Sequence, residues 1–380
     1  MKNNNIKVCV VGLGFMGNTH IEAIRRIPFT EVVSVVDDDI AKASAVAKQM
    51  GIQNVFNRFE TALENVSFDV VHICTPNETH FSISKSALNA GIDVYCEKPI
   101  CNTLDEADNL KQIVDVSMCK FGVNFIYRQN PMVQEMRVRI SDPDWGKTYL
   151  VYGRYIQDWL LYNTDFNWRC ISQTGGVSRA VADIGSHWID LAQFITGQRI
   201  VRVMAKLITI HDMRKKFDQA IDTFGVRQDG AFKSIPIDTE DAAIIVAQFA
   251  DGTYGNLILS QLAAGSKNEL AIRVDGAYES LSWEQETPDI LRIGCRETGT
   301  TSIHADRSMM NPVVADYATL PAGHTPGWKD MLKEAIGRFY ASVRDRNLKT
   351  EYATFDEAYY NMKVVAACIR SSGNECWEDI

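Results

Sequence analysis

A glycine-rich turn within the first twenty residues constrains this chain more than any other feature. The string Gly12-Leu13-Gly14-Phe15-Met16-Gly17 follows a β-branched run at 6–11 and opens a helical pattern at 16–27. In a G-x-G-x-x-G turn the first glycine permits the tight bend and the second lets backbone approach a pyrophosphate. The third lets helix and strand pack closely, and the helix N-terminus faces negative phosphates. Alone the string is weak, because glycine-rich turns are common. Its setting strengthens it: Asp37 stands 20 residues beyond Gly17, at the end of a second β-branched run, where a carboxylate takes the hydroxyls of a ribose. The competing account of Asp37 to Asp39 is a solvated acidic turn. Their charge would still repel a 2′-phosphate, and no arginine follows closely, so NAD is preferred to NADP as cofactor.

The rest of the chain extends this start into two domains. Short β-branched runs at 6–11, 32–36, 54–56, 70–74, 93–96 and 121–126 alternate with helical patterns at 16–27, 40–50, 61–65, 81–90 and 104–119. That rhythm is the signature of parallel βαβ units, so the fold class is α/β with a doubly wound nucleotide-binding sheet. Gly51 and Gly91 suit the left-handed residue that closes a helix, and Thr103-x-x-Glu106 reads as a capping box. From about Trp145 the rhythm changes. Strand patterns at 148–156, 201–209, 242–249, 254–261, 270–274, 279–283 and 290–294 follow one another, with Asp251-Gly252 as a hairpin signal. A helix near 183–195 and two terminal helices, 328–346 and 355–371, complete the reading. The expected domains are 1–122, binding NAD, and 123–380, an α/β domain with an open, mostly antiparallel sheet that binds substrate and carries oligomer contacts.

Composition narrows the partners. Thirty-nine Lys and Arg against 48 Asp and Glu leave a net charge of −9, with no basic cluster, so the attraction that drives binding to nucleic acid or anionic membrane is missing. A small neutral substrate fits better. Nine cysteines, an odd number without a C-x-x-C, read as reduced thiols in a cytoplasmic protein and not as a disulfide frame or zinc knuckle. The histidines are too dispersed to indicate a metal, and none is expected. The apolar run 6–11 is too short to span a membrane and lacks a cleavage site after it.

Chemistry is suggested by Glu97-Lys98-Pro99 near the fifth strand's end and by the segment Asp183 to Leu191. On a helix Asp183 and His187, four apart, share a face, so a carboxylate could orient an imidazole. A lysine beside a nicotinamide could hydrogen-bond an alcohol oxygen while His187 takes its proton. The bland alternative is a surface lysine, and an aspartate capping a helix with a buried histidine.

Taken together, Gly12-x-Gly14-x-x-Gly17, Thr75-Pro76-Asn77 with His80, Glu97-Lys98-Pro99 and Asp183-x-Gly185-x-His187 resemble the glucose-fructose oxidoreductase, inositol dehydrogenase and rhizopine-catabolism family (Gfo/Idh/MocA) in order and spacing, over essentially the whole chain. The resemblance implies a Rossmann domain, a nicotinamide cofactor, and a hydride transfer at a ring secondary alcohol of a sugar, glycoside or inositol-like polyol. It implies Lys98, Asp183 and His187 as catalytic residues, and Thr75, Pro76, Asn77, His80 and Glu97 as cofactor-facing, beside Gly12, Gly14, Phe15, Met16, Gly17 and Asp37. Trp168-Arg169 resembles a loop near the nicotinamide. Tyr155, Gln157, Asp158 and Trp159 stand where side chains reach a sugar, and the loop around His324 resembles a substrate-side loop. A homodimer or homotetramer is also implied. Open alternatives are a keto-sugar reductase, a dihydrodiol-type dehydrogenase, and a noncatalytic NAD and sugar sensor of the same fold.

Overall fold

The structure, a computed structural model, describes residues 5–217 and 230–380. The chain divides into two compact units, one of Met1–Ile126 with Trp328–Tyr359, the other of Tyr127–Gly327 with Tyr360–Ile380.

The first unit is built on β1 (Ile6–Val11), α1 (Phe15–Arg25), β2 (Thr30–Val36), α2 (Ile40–Met50), β3 (Asn54–Phe56), α3 (Phe59–Asn65), β4 (Val70–Ile73), α4 (His80–Asn89), β5 (Asp93–Cys96), α5 (Leu104–Val116) and β6 (Phe121–Val123). The six strands pair in parallel in the order 6-5-4-1-2-3. The central strands are buried on both faces, which is why β1 and β4 read as nearly continuous apolar runs, interrupted only by Lys7 and His72, and not as alternation. Order reverses between β1 and β4, and ligands of such sheets bind beyond the strand ends at that reversal.

The second unit contains α6 (Pro131–Ile140), β7 (Thr148–Ile156), the short α7 (Ser172–Gly175), α8 (Ser186–Thr196), β8 (Ile200–Ile208), β9 (Met213–Phe217), β10 (Phe232–Pro236), β11 (Ala242–Phe249), β12 (Tyr254–Ser260), β13 (Glu269–Gly276), β14 (Glu279–Glu284), β15 (Ile290–Cys295) and β16 (Gly299–His304). The chain then runs through α9 (Trp328–Arg344), β17 (Ala353–Thr354), α10 (Phe355–Asn374) and β18 (Glu378–Asp379). The large sheet has the order 16-15-14-13-7-12-11-8-18, antiparallel except for β7 beside β12. Strands β11 and β12 alternate buried and exposed residues, the pattern of a sheet covered on one face.

Two differences from the sequence reading have physical causes. The expected second domain, 123–380, is too long: α9 belongs to the first unit, where Phe339 packs 5.2 Å from the Tyr95 ring and a Cβ at Gly122 would meet Phe339 at 2.7 Å. Its apolar stripe, with Leu332, Ile336, Phe339 and Tyr340 fully buried, covers the sheet that the first six strands leave bare. β17 then adds antiparallel to β6. The hairpin of β9 and β10, rich in lysine, and the Thr- and Ser-rich β16 carry no apolar alternation, so nothing in their sequence marks them.

Candidate active site

The turn after β1 is shaped by contacts that only glycine allows. Gly12 has φ of 86°, and its amide donates to the Val36 carbonyl at 2.8 Å, tying the turn to the end of β2. A Cβ at Gly12 would lie 2.7 Å from the Cys74 and Thr75 backbone, and one at Gly17 would lie 1.8 Å from the Gly12 carbonyl oxygen. Gly14 is different. Nothing lies within 4 Å of its Cβ position, and it begins α1 without any side-chain cap. The start of α1 therefore borders open space with its dipole unanswered by a capping side chain, which suits a pyrophosphate.

Asp37, buried just beyond β2, accepts from the Leu13 amide at 2.7 Å, from Lys42 Nζ at 3.0 Å and from the Asp39 amide at 3.2 Å. Burial pushes its carboxyl up, but the Leu13 amide and the Lys42 ammonium outweigh burial and hold it below the usual carboxylate range. An ionised carboxylate tied to the turn fits a ribose that follows the pyrophosphate. Asp39 instead caps α2, accepting from the Ala41 and Lys42 amides. Nothing in the sequence marks Lys42, because a lone lysine five residues after an aspartate carries no motif.

The exits of β4 and β5 are bound together by His80. Its ring nitrogens face the Pro99 carbonyl at 2.7 Å and the Thr75 carbonyl at 2.9 Å, and the ring is fully buried. Burial pushes its imidazole down, while the two carbonyls push back. His80 is therefore a strut between two loops, and Thr75, Pro76 and Asn77 are presented by it. Thr79 donates to Thr75 Oγ1 at 2.6 Å, closing the same turn. Glu97 accepts on Oε1 from His20 at 3.0 Å and from Asn124 at 2.6 Å. Burial pushes its carboxyl up, but His20, Lys98 and Asn124 together hold it below its ordinary value.

In the second unit the side chains converge on α8. Gly153 in β7 leaves no room for a Cβ, since one would lie 2.6 Å from Trp188 Nε1, and that indole donates to the Ala271 carbonyl at 3.1 Å. α8 consequently rests directly on β7 and β13. Its next residue back, His187, packs edge-on to Tyr127 at 5.1 Å between ring centroids and 6.2 Å from Tyr155. The two phenols are 3.0 Å apart, and Asn268 joins both: Tyr155 donates to its Oδ1 at 2.6 Å and its Nδ2 donates to Tyr127 at 3.3 Å. Gln157 donates to the same Oδ1 at 3.0 Å and accepts from Trp159. Burial, with Tyr127 and Asp183 nearby, raises the Tyr155 phenol well above its ordinary range, so it stays protonated. Tyr127 and Asn268 are invisible to sequence reasoning because neither lies in a motif.

Asp183 lies on a π-helical turn, Val181–Gly185, that leads into α8, so the spacing from Asp183 to His187 is not that of a regular α-helix. Its carboxylate faces Arg169 Nε at 3.5 Å and Gln261 Nε2 at 3.2 Å. Arg169 stacks on Trp168 at 4.3 Å, so the loop expected near a nicotinamide also touches Asp183. That loop is tied to a buried ion cluster through Arg179, which donates to Cys170 Sγ at 3.4 Å. Arg179 and Arg214, both fully buried, converge on Asp241, and Glu240 accepts from the Arg179 and Val181 amides. Burial pushes the Asp241 carboxyl up, but the two guanidiniums and backbone amides hold it down.

The remaining expected residues lie elsewhere in the hydrogen-bond pattern. Asp158 is taken by Lys267 Nζ at 2.6 Å and the Gly265 amide at 3.0 Å. His324 is exposed, and its hydrogen bonds go to carbonyls of its own loop, Pro321 and Ala322. Arg128 is buried in a two-pronged pair with Asp190, so it fastens the chain to α8. Among the described residues no group of three or more His, Cys, Asp or Glu is placed to hold a metal, and no helix is long and apolar enough to cross a membrane.

Comparison with known proteins agrees with this architecture. Residues 6–125 match a family described as "Oxidoreductase family, NAD-binding Rossmann fold", and residues 133–282 match the GFO/IDH/MocA C-terminal domain. A levoglucosan dehydrogenase of Pseudarthrobacter phenanthrenivorans is 26% identical, over 99% of this chain and 98% of its own. The crystal structure of an oxidoreductase domain protein from Kribbella flavida aligns with a TM-score of 0.89 at 28% identity, covering 99% of both chains. A levoglucosan dehydrogenase in complex with NADH and levoglucosan shares the fold, with a TM-score of 0.88 at 24% identity over 99% of this chain and 100% of that one. With both of its domains matched in order, the chain belongs to the GFO/IDH/MocA family of oxidoreductases, dehydrogenases that use NAD on a Rossmann fold.

Proposed function

We propose that this protein transfers a hydride between a ring secondary alcohol of a sugar, glycoside or inositol-like polyol and NAD. The observation that carries the reading is the set around His187: two phenols and a carboxamide pair in Asn268 and Gln157, joined by hydrogen bonds or ring contact in one unit, with the Asp183 carboxylate near enough to act on the Tyr155 phenol by its charge. Alternating donors and acceptors with no unpaired cation among these groups suit a neutral, polyhydroxylated ring. The names of the relatives, levoglucosan dehydrogenase and inositol 2-dehydrogenase, support the same class.

The roles follow from chemistry. NAD, when bound, supplies the ring that accepts or returns the hydride. Gly12, Gly14 and Gly17 admit its pyrophosphate, Asp37 takes the ribose, and Phe15, Met16, Thr75, Pro76, Asn77 and Glu97 border it, with His80 bracing them. Lys98 donates to the alcohol oxygen and stabilises the negative charge that develops there. His187 removes the hydroxyl proton, so the C–H electron pair leaves as hydride while the C–O bond becomes a carbonyl. Asp183, Tyr155 and the Trp168-Arg169 loop orient these groups, and Asp158 and His324 act at the substrate's edge. Copies pair through the bare face of the large sheet, where Met204, Ile244, Tyr254 and Ile258 are exposed; sedimentation tests that.

A panel of sugars, anhydrosugars and cyclitols with NAD, followed by NADH absorbance, tests the function. Turnover of one neutral ring polyol is the expected result. NAD binding without turnover of any of them would mean that the chain is a sensor.

A further inference from the structure

Beneath the cofactor loops of the first unit runs a line of buried groups that the proposed chemistry does not use. Tyr340 Oη lies 2.8 Å from His72 Nε2, His72 Nδ1 lies 2.8 Å from His20 Nδ1, and His20 Nε2 lies 3.0 Å from Glu97 Oε1. Tyr340, His72 and His20 are fully buried. A second line reaches the same atom: Tyr95 donates to Asn124 Oδ1 at 2.9 Å, and Asn124 Nδ2 donates to Glu97 Oε1 at 2.6 Å.

The proton count along the first line has a single solution when both rings are neutral. A carboxylate only accepts, so His20 must carry its proton on Nε2, leaving Nδ1 bare. His72 must then donate from Nδ1, which leaves its own Nε2 bare, and the Tyr340 hydroxyl fills it. Every donor points toward Glu97. Burial pushes the His72 imidazole well below its ordinary range, as a neutral ring requires. Other ionisable groups facing this set are Lys98, Cys74, Cys96 and Arg344, and none interrupts the line. Both lines end on Oε1. Among the described residues Oε2 accepts no hydrogen bond, yet it is not among the buried atoms left without a partner.

We infer that Tyr340, His72, His20, Asn124 and Tyr95 are positioning residues for Glu97: two hydrogen-bond lines of fixed polarity pin one carboxylate oxygen and leave the other as the acceptor offered to bound NAD. This rests on the reading of Glu97 as cofactor-facing. The polarity makes Glu97 rigid without surrendering its charge, because each donor in the line is ordered by the next.

Two measurements test it. The first is a long-range proton–nitrogen NMR spectrum of the unliganded protein with labelled histidine, assigned in the parent protein through the contacts of His72 with Tyr340 and of His20 with Asn124. The expected result is a proton on Nδ1 of His72 and on Nε2 of His20; a proton on Nε2 of His72 overturns the inference even if no variant folds. The second is calorimetric titration of NAD. His20→Gln keeps a donor where Nε2 stood, and His20→Leu removes it. Affinity should fall about tenfold in the leucine variant and recover to within about threefold in the glutamine variant, the scale of one charge-assisted hydrogen bond. Equal losses would mean that the line is packing only. Failure to find a turned-over sugar would leave both measurements standing, so the two readings fail separately.

Discussion

In the first unit, the parts we propose to meet the cofactor are largely backbone: the amides at the start of α1, the bend at Gly12, and the loops after β4 and β5 held by His80. In the second unit, the groups around His187 are side chains drawn from residues 127 to 268 and held by hydrogen bonds to one another, and a buried ion cluster fixes the segment that leads into α8. Backbone cradles are specified locally, by glycines a few residues apart. Side-chain constellations exist only after distant strands have paired. The two regions should therefore fail differently: changes in the first should alter NAD binding, and changes in the second should alter turnover while NAD still binds.

The sharpest form of that contrast is His187→Asn, which should lower kcat/KM for oxidation by about 10²- to 10⁴-fold, the worth of a positioned general base, with NAD affinity unchanged by titration. In the unmodified protein the same parameter should fall on the acid side along one ionisation, since a neutral imidazole is needed. An Asn variant that keeps the parent rate would assign the base elsewhere.

Asp241→Asn tests the anchor of the second region. Removing one partner of a buried pair leaves Arg179 and Arg214 uncompensated, so stability at neutral pH should fall by about 3–5 kcal/mol in denaturant titration. The carboxyl is held below its unfolded value, so its contribution is present above the unfolded pKa and lost as pH falls through the native one. The gap between parent and variant should thus be widest near neutrality and close in acid. A gap that grows in acid would contradict the assignment.

Lys98 would break the rule in an informative way, because it lies in the first unit and its proposed role is chemical. Lys98→Met should lower kcat by about 10²-fold with NAD affinity nearly intact. If binding and turnover fall together, Lys98 is an anchor for the cofactor and the contrast between the regions is cleaner than proposed.

Asp37→Ala should have the smallest effect, narrowing the preference for NAD over NADP by about tenfold, the worth of one or two charge-assisted contacts. The structure adds a reason that charge repulsion alone does not provide. Lys42 is paired with Asp37, so the substitution frees a cation that a 2′-phosphate can use. Double substitution of Asp37 and Lys42 by alanine, titrated with both cofactors, should lose that gain for NADP.

The contrast also accounts for what can be read from sequence. Gly12, Gly14, Gly17 and Asp37 are legible because their spacing is dictated by a single strand–helix–strand unit. Lys98 and His187 are legible through resemblance, and their roles are still carried by it. Tyr127 and Asn268, 141 residues apart, announce nothing in sequence, and their pairing depends on β13 lying beside β7. The same holds for α9, whose apolar stripe reads clearly as a helix but not as the cover for a sheet about two hundred residues earlier. Asp158, marked in sequence only by its position after β7, pairs with Lys267, which only the fold brings near.

Gly153 acts through an atom it does not have. Its bare backbone lets the Trp188 indole lie against β7, and α8 is a stiff rod in which His187 is the adjacent rung. A methyl group at position 153 would press on the Ala271 carbonyl oxygen at 2.0 Å and on the Trp188 indole nitrogen at 2.6 Å, straining β7 against both β13 and the rod that carries the imidazole. Given the role we propose for His187, the depth of the floor under α8 thus sets how far the base stands forward of the sheet.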